Sequence, residues 1–129
     1  MAKAMETSPL ALPFPDLPPI KGVRIGTASV AYKSWTRDCV TLMEFAPDTA
    51  VAGVTTQSKC PSPEVELCRA KLAAGRARGL IVNAGNSNAF TGAAGRAAAE
   101  AQAARVAQRL GCLAEEVFSA STGVIGVPL

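Results

Sequence analysis

The sequence contains no histidine. Within the chain this excludes a Ser-His-Asp or Cys-His catalytic arrangement and any histidine-containing metal site. Aromatic residues supply only 5% of the composition and hydrophobic residues 49%, much of it alanine. A core of Ala, Val, Leu and Ile needs closely packed helices and sheet, because each small side chain buries little area, and such a core also favours burial against a partner. The four cysteines (Cys39, Cys60, Cys68 and Cys112) form no CxxC pair and show no metal-ligand spacing. They read as free, mostly buried thiols in a reducing compartment. No apolar run approaches the length of a membrane span. The net charge of +3 comes from scattered residues, without the basic patch or stacking aromatics of a nucleic-acid binder. The expected setting is therefore the cytoplasm, with no membrane and no nucleic-acid partner.

Residues 1–20 hold five prolines (Pro9, Pro13, Pro15, Pro18 and Pro19) and no uninterrupted apolar segment of the signal-peptide kind. They read as an extended leader, and residues 21–129 as a single α/β domain. Val23–Val30, Cys39–Phe45 and Ala50–Thr56 are β-branched and apolar enough for three strands, separated by the turn-like Lys33–Asp38 and Ala46-Pro47-Asp48. The period then changes. Ser62-Pro63-Glu64 offers a hydroxyl N-cap, a proline in the first turn and an acid behind it, followed by Val65, Cys68 and Leu72 at helical spacing. Gly75 and Gly79 offer stops, and Leu80-Ile81-Val82 reads as a buried central strand. Ala93–Leu110 is expected to be helical, with Ala103, Val106, Ala107 and Leu110 as its apolar stripe and Gly111 as its stop. A last strand follows Glu115. The order predicts an α/β fold with a mixed sheet, its early strands antiparallel and helices packed on it.

Two loops have residues suited to chemistry. Asn83-Ala-Gly-Asn-Ser-Asn-Ala-Phe-Thr-Gly92 joins a strand to a helix, where backbone amides are available to an anion, although asparagines also serve to satisfy their own backbone. It lacks the Gly-Lys-Ser/Thr of a Walker A loop. Ala120-Ser-Thr-Gly-Val-Ile-Gly126 places the Thr122 hydroxyl beside the Gly123 amide, a pairing that suits a developing oxyanion and equally an ordinary glycine turn. Ser87, Ser121 and the cysteines could be nucleophiles, but no histidine is present to activate them, and no lysine is marked by sequence as a base.

Taken together, these segments resemble the ornithine acetyltransferase family (ArgJ, bifunctional glutamate N-acetyltransferase), from about Lys21-Gly22 to Leu129. The strongest pieces are Asn83–Gly92 and Ala120-Ser-Thr-Gly-Val-Ile-Gly-Val-Pro-Leu129, supported by Ala52-Gly-Val-Thr-Thr-Gln57 with Pro63 and by Leu113-Ala-Glu-Glu-Val117. Gln57 stands where the family usually has asparagine, and Glu64 where an apolar residue is common.

The resemblance implies a layered α/β sandwich of the ArgJ/DmpA type and a precursor that cuts itself into α and β chains. It further implies a ping-pong transfer of acetyl from N-acetylornithine to glutamate through an acyl-threonine. The nucleophile would be the amino-terminal threonine of the β chain, with its own α-amine as base; some members also accept acetyl-coenzyme A. No cofactor or metal is implied. Thr122 and Gly123 match the family's oxyanion pair. The chain would be the first part of an α chain, inactive alone and active in an α/β heterotetramer or larger assembly. Two other readings stand beside this one: a self-processing aminopeptidase of related fold, and a non-catalytic module binding a small anion at Asn83–Gly92.

Overall fold

The computed structural model describes residues 8–13, 15–30 and 35–127. Four strands form one mixed sheet in sequential order: β1 Val23–Ala28, β2 Val40–Phe45, β3 Gly79–Asn86 and β4 Val117–Val124. β1 pairs β2 and β2 pairs β3 antiparallel, whereas β3 and β4 are parallel. The crossover between the parallel strands carries α2 (Gly92–Leu110) and a short 3-10 turn, Ala114–Glu116. The other helix, α1 (Pro63–Leu72), precedes β3. The described residues of 8–20 form neither helix nor strand and are exposed. The turn expected at Lys33–Asp38 falls partly outside the described residues.

The core lies between α2 and the sheet. Ala103, Val106 and Ala107 pack on Val117, with Leu42, Ile81, Leu110, Cys112 and Ala114 around them. This is the alanine-rich stripe read from sequence, and the small side chains let helix and sheet approach closely. A Cβ on Gly79 would stand 2.9 Å from a Leu110 methyl, so α2 packs closely over the start of β3. Gly111 ends α2 in the left-handed conformation at φ 64, and the amides of Gly111 and Cys112 both bond back to Ala107 O.

Along the outer edge of β4, α1 caps carbonyls that no other strand among the described residues covers. Lys71 Nζ donates to Val117 O at 2.6 Å, and the Cys68 thiol lies 3.3 Å from Ser119 O. Burial pulls the Lys71 amine below its ordinary lysine value, with nearby Cys68, Glu115 and Glu100 opposing the shift.

Several expectations are corrected. Ala50–Thr56 is not a strand: Ala50 makes only an isolated bridge to Arg76. β2 already has β1 on one side and β3 on the other, so no ladder position was open beside it. The segment instead runs past Phe45, Leu72 and Phe118, leaving Val54 exposed. Ser62 occupies the N-cap of α1, but its hydroxyl makes no capping bond; Glu66 N bonds to Ser62 O. α1 ends at Leu72, ahead of Gly75, and Gly79 opens β3 and stops no helix. Leu80, Ile81 and Val82 occupy a central strand as expected but are half-buried, since only one face lies under α2. Of the four thiols, only Cys39 is buried, while Cys60 is exposed.

Thiol chemistry tests this packing. Burial raises the Cys112 thiol above its ordinary value, so less of the reactive thiolate is present at any pH below it. Iodoacetamide at neutral pH is expected to modify Cys60 first and Cys39 and Cys112 last, and raising the pH should accelerate Cys112. Peptide mass mapping that found equal rates at all four would contradict the fold.

Candidate functional site

β3 and β4 run parallel, and their carboxyl ends lie side by side, with Asn83 opposite Ser121, Ala84 opposite Thr122, Gly85 opposite Gly123 and Asn86 opposite Val124. Both loops singled out from sequence therefore meet at one place. The elements are longer than the residue types suggest. Asn83–Asn86 belongs to β3, leaving only Ser87–Thr91 as loop, and Ser121–Val124 belongs to β4 where a turn was expected. Parallel pairing carries these polar and glycine residues into strand geometry despite their low intrinsic preference for it. Open α/β sheets bind ligands beyond the carboxyl ends of parallel strands, which makes this the place to look for function.

Two glycines set the local backbone. Gly123 has φ 136, and a Cβ there would overlap the Gly85 carbonyl carbon and come within 2.8 Å of Asn86 N. No residue with a side chain fits without separating the strands. Beyond the glycines, Ser87 N bonds to Val124 O at 2.9 Å and Gly126 N to Ala89 O at 2.9 Å, tying the two chain segments together.

Beneath this end lies a buried polar network. Asn83 Nδ2 donates to Asn86 Oδ1 at 2.8 Å, and Asn86 Nδ2 donates to Val127 O at 3.0 Å. Asn88 Nδ2 donates to Gly95 O at 3.0 Å and to Glu64 Oε1 at 2.6 Å. The Ser121 hydroxyl lies 2.6 Å from Asn83 Oδ1 and 2.9 Å from Glu64 Oε1. Thr91 Oγ1 sits 2.8 Å from Asn88 Oδ1. Asn83, Asn86, Asn88 and Glu64 are all buried, at 6%, 3%, 0% and 2% exposure. The asparagine side chains are thus committed to internal bonds, the outcome that turn chemistry anticipated, and they do not line an open anion site.

Thr122 and Gly123 are placed differently. Both are exposed, and the Thr122 hydroxyl has no hydrogen-bond partner among the described residues. Along β4, backbone groups alternate between the two sides: the Val117 and Ser119 carbonyls face α1, and the Val124 carbonyl faces Ser87. A free hydroxyl and a neighbouring amide on a fixed backbone can hold a negative oxygen.

Ser121, a nucleophile candidate by residue type, is turned inward to Glu64 and Asn83, and Ser87 lies 3.5 Å from Val124 O. Lys71 is the lysine whose amine burial depresses, but it sits beside Val117, five residues or roughly 17 Å of strand from Thr122. Sequence reasoning missed Glu64 as a site residue. Its identity after Pro63 was visible, but its burial depends on β4 and the β3–α2 loop converging on the first turn of α1. Among the described residues there is no His/Cys/Asp/Glu cluster suited to a metal, and no helix long and apolar enough to cross a membrane.

A mixed sheet whose parallel pair ends in an asparagine-rich strand and a Ser-Thr-Gly strand, with a helix crossing over between them, defines an α/β protein with its site at the strand ends. A sequence model of the ArgJ family matches residues 24–129, and the chain belongs to that family. It is 58% identical over 123 residues to the arginine biosynthesis bifunctional protein ArgJ of Zymomonas mobilis, covering 95% of this chain and 30% of that protein. It is 50% identical over 127 residues to the protein of the same name from Agrobacterium fabrum, covering 98% and 31%. Among solved structures, the ornithine acetyltransferase of Mycobacterium tuberculosis, complexed with ornithine, superposes with TM-score 0.80 at 35% identity, covering 84% of this chain and 60% of that one. The ArgJ protein of Bacillus halodurans gives TM-score 0.79 at 27% identity, covering 84% and 57%. The chain thus spans about 30% of the length of the curated relatives it matches.

Gly95 offers a test of the network. A Cβ there would overlap Thr91 Oγ1 and come within 2.5 Å of Asn88 Oδ1. Gly95→Ala is expected to destabilise the protein by about 2 kcal/mol or more, because the displaced Thr91 and Asn88 leave buried polar atoms unpaired. An unchanged urea midpoint would show that the loop is not packed as described.

Proposed function

We propose that this chain is part of an arginine-biosynthesis acetyltransferase that moves acetyl from N-acetylornithine to glutamate, and that it supplies the oxyanion hole through Thr122 and Gly123. The observation carrying this reading is the exposed Thr122 hydroxyl, unpartnered among the described residues, beside a Gly123 backbone that can occupy its position only as glycine. Family membership and the likeness to an ornithine acetyltransferase solved with ornithine support the substrate class.

In the proposed reaction, the hydroxyl oxygen of a threonine at the start of the β chain adds to the acetyl carbonyl carbon, with the α-amine of that threonine taking its proton. The carbonyl oxygen becomes negative, and Thr122 Oγ1 and the Gly123 amide hold it. The intermediate collapses by releasing the ornithine amine, which takes up a proton and leaves an acyl-threonine. The glutamate amine then adds to the acyl carbon and gives up a proton to the α-amine; the second intermediate collapses by expelling the threonine oxygen, which regains a proton, and glutamate keeps the acetyl group. Acetyl-coenzyme A is a second donor in this scheme, and no step calls for a cofactor or metal. The precursor's self-cleavage, assembly as an α/β heterotetramer and cytoplasmic location belong to the same proposal. So does the inactivity of the 129-residue chain alone, since the scheme takes its nucleophile from the β chain.

The test uses the full-length protein that includes this segment, assayed for acetyl transfer from N-acetylornithine to glutamate. Thr122→Ala removes one donor and is expected to lower kcat by about 10²- to 10³-fold. Because the side chain is exposed, stability should change by no more than about 0.5 kcal/mol. A rate within a few-fold of the parent would remove Thr122 from the oxyanion hole.

A further inference from the structure

We infer that Glu64 is a positioning residue for the Thr122–Gly123 pair. This rests on the reading of that pair given above. Glu64 is 2% exposed and stands in the first turn of α1, yet its carboxylate makes no ion pair among the described residues. A carboxylate enclosed without a cation is costly unless hydrogen bonds hold it. All the bonds it makes go through Oε1, to Asn88 Nδ2 and the Ser121 hydroxyl, while the buried Oε2 has no partner. An apolar side chain would serve a purely structural site better.

The placement of those bonds gives the carboxylate a role. Ser121 is the residue immediately before Thr122, and Asn88 stands in the β3–α2 loop that returns to β4 through Ser87 and Ala89. One oxygen therefore joins α1 to both chain segments flanking the proposed oxyanion donors. On the far side of the pair, Asn83 and Asn86 carry the network on to Val127 O. Thr122 and Gly123 are fixed before and after by side chains that do not touch the reacting atoms. Their own side chains cannot do this: one is a hydroxyl that must stay free and the other is a hydrogen. Glu64 acts through Ser121, holding the direction of the strand at the point where an error of about 1 Å would cost the reaction roughly a hundredfold.

The experiment is a set of variants in the full-length protein that includes this segment, read as kcat and KM separately. Glu64→Ala is expected to lower kcat about ten- to a hundredfold with KM within threefold. Glu64→Gln keeps an oxygen acceptor at the same place and should restore kcat to within about threefold of the parent. The decisive readout is the double variant Glu64→Ala with Thr122→Ala. If Glu64 acts by placing the pair, adding Glu64→Ala to Thr122→Ala costs at least about threefold less than Glu64→Ala costs the parent, because one of the two donors it positions is already gone. Multiplicative losses, a loss confined to KM, or failure of Glu64→Gln to recover kcat would overturn the inference. If Glu64→Ala does not fold, Ser121→Ala severs the same link and carries the same expectations for kcat and for the double variant. The underlying reading fails separately: Thr122→Ala alone would then leave kcat within a few-fold, whatever the Glu64 variants do.

Discussion

Where β4 passes the end of β3, two glycines meet backbone to backbone. A single methyl group on Gly123 would overlap the Gly85 carbonyl carbon, so the parallel ladder can continue to Val124 only because Gly123 carries no side chain. Everything at the strand ends depends on that approach. It brings Asn86 close enough for its amide to reach Val127 and holds Ser87 against Val124. The left-handed φ of 136 at Gly123 is the conformational cost of this geometry, and glycine bears it with little strain.

Around the glycine contact the protein has placed polar side chains where an ordinary α/β sheet would have apolar ones. Asn83, Asn86, Asn88, Ser119 and Glu64 are buried beside apolar core residues that are mostly Ala and Val, with Cys39 and Phe118. Buried networks are stable when nearly every member is satisfied, and each asparagine here finds at least one partner within 3.0 Å. Such a network is less tolerant of sliding than an oily interface, because a shift of one residue would strand several donors at once. It fixes two strand ends and two helix starts to one another. The exposed Thr122 thereby sits on a rigid support while its side chain contributes little to it.

Much of the fold could be read from local patterns. The stripe Ala103, Val106, Ala107 with Leu110 and the stop at Gly111 identified α2, and the apolar run Leu80–Val82 identified the central strand, because helix period and glycine caps are local properties. The reading of Ala50–Thr56 as a strand went wrong for a non-local reason: its residues suit a strand, but β2 had no free edge to pair with. The ends of β3 and β4 read as loops in sequence because Asn, Ser, Thr and Gly favour turns, and only their pairing with each other makes them strands. Thr122 and Gly123 stood out beside each other in sequence. Glu64 did not, since its partners Asn88 and Ser121 lie 24 and 57 residues away.

The chain belongs to the ArgJ family and spans about 30% of the length of its curated relatives, so its proposed chemistry has to be examined in the full-length protein. The most direct test is a crystal structure of that protein with a tetrahedral, anionic mimic of the acetyl-transfer intermediate. The account predicts the anionic oxygen 2.7–3.1 Å, the ordinary range for oxyanion donors, from both Thr122 Oγ1 and the Gly123 amide nitrogen, with the Gly85–Gly123 contact unchanged. An anionic oxygen held by other groups, and more than about 4 Å from both of these donors, would contradict it.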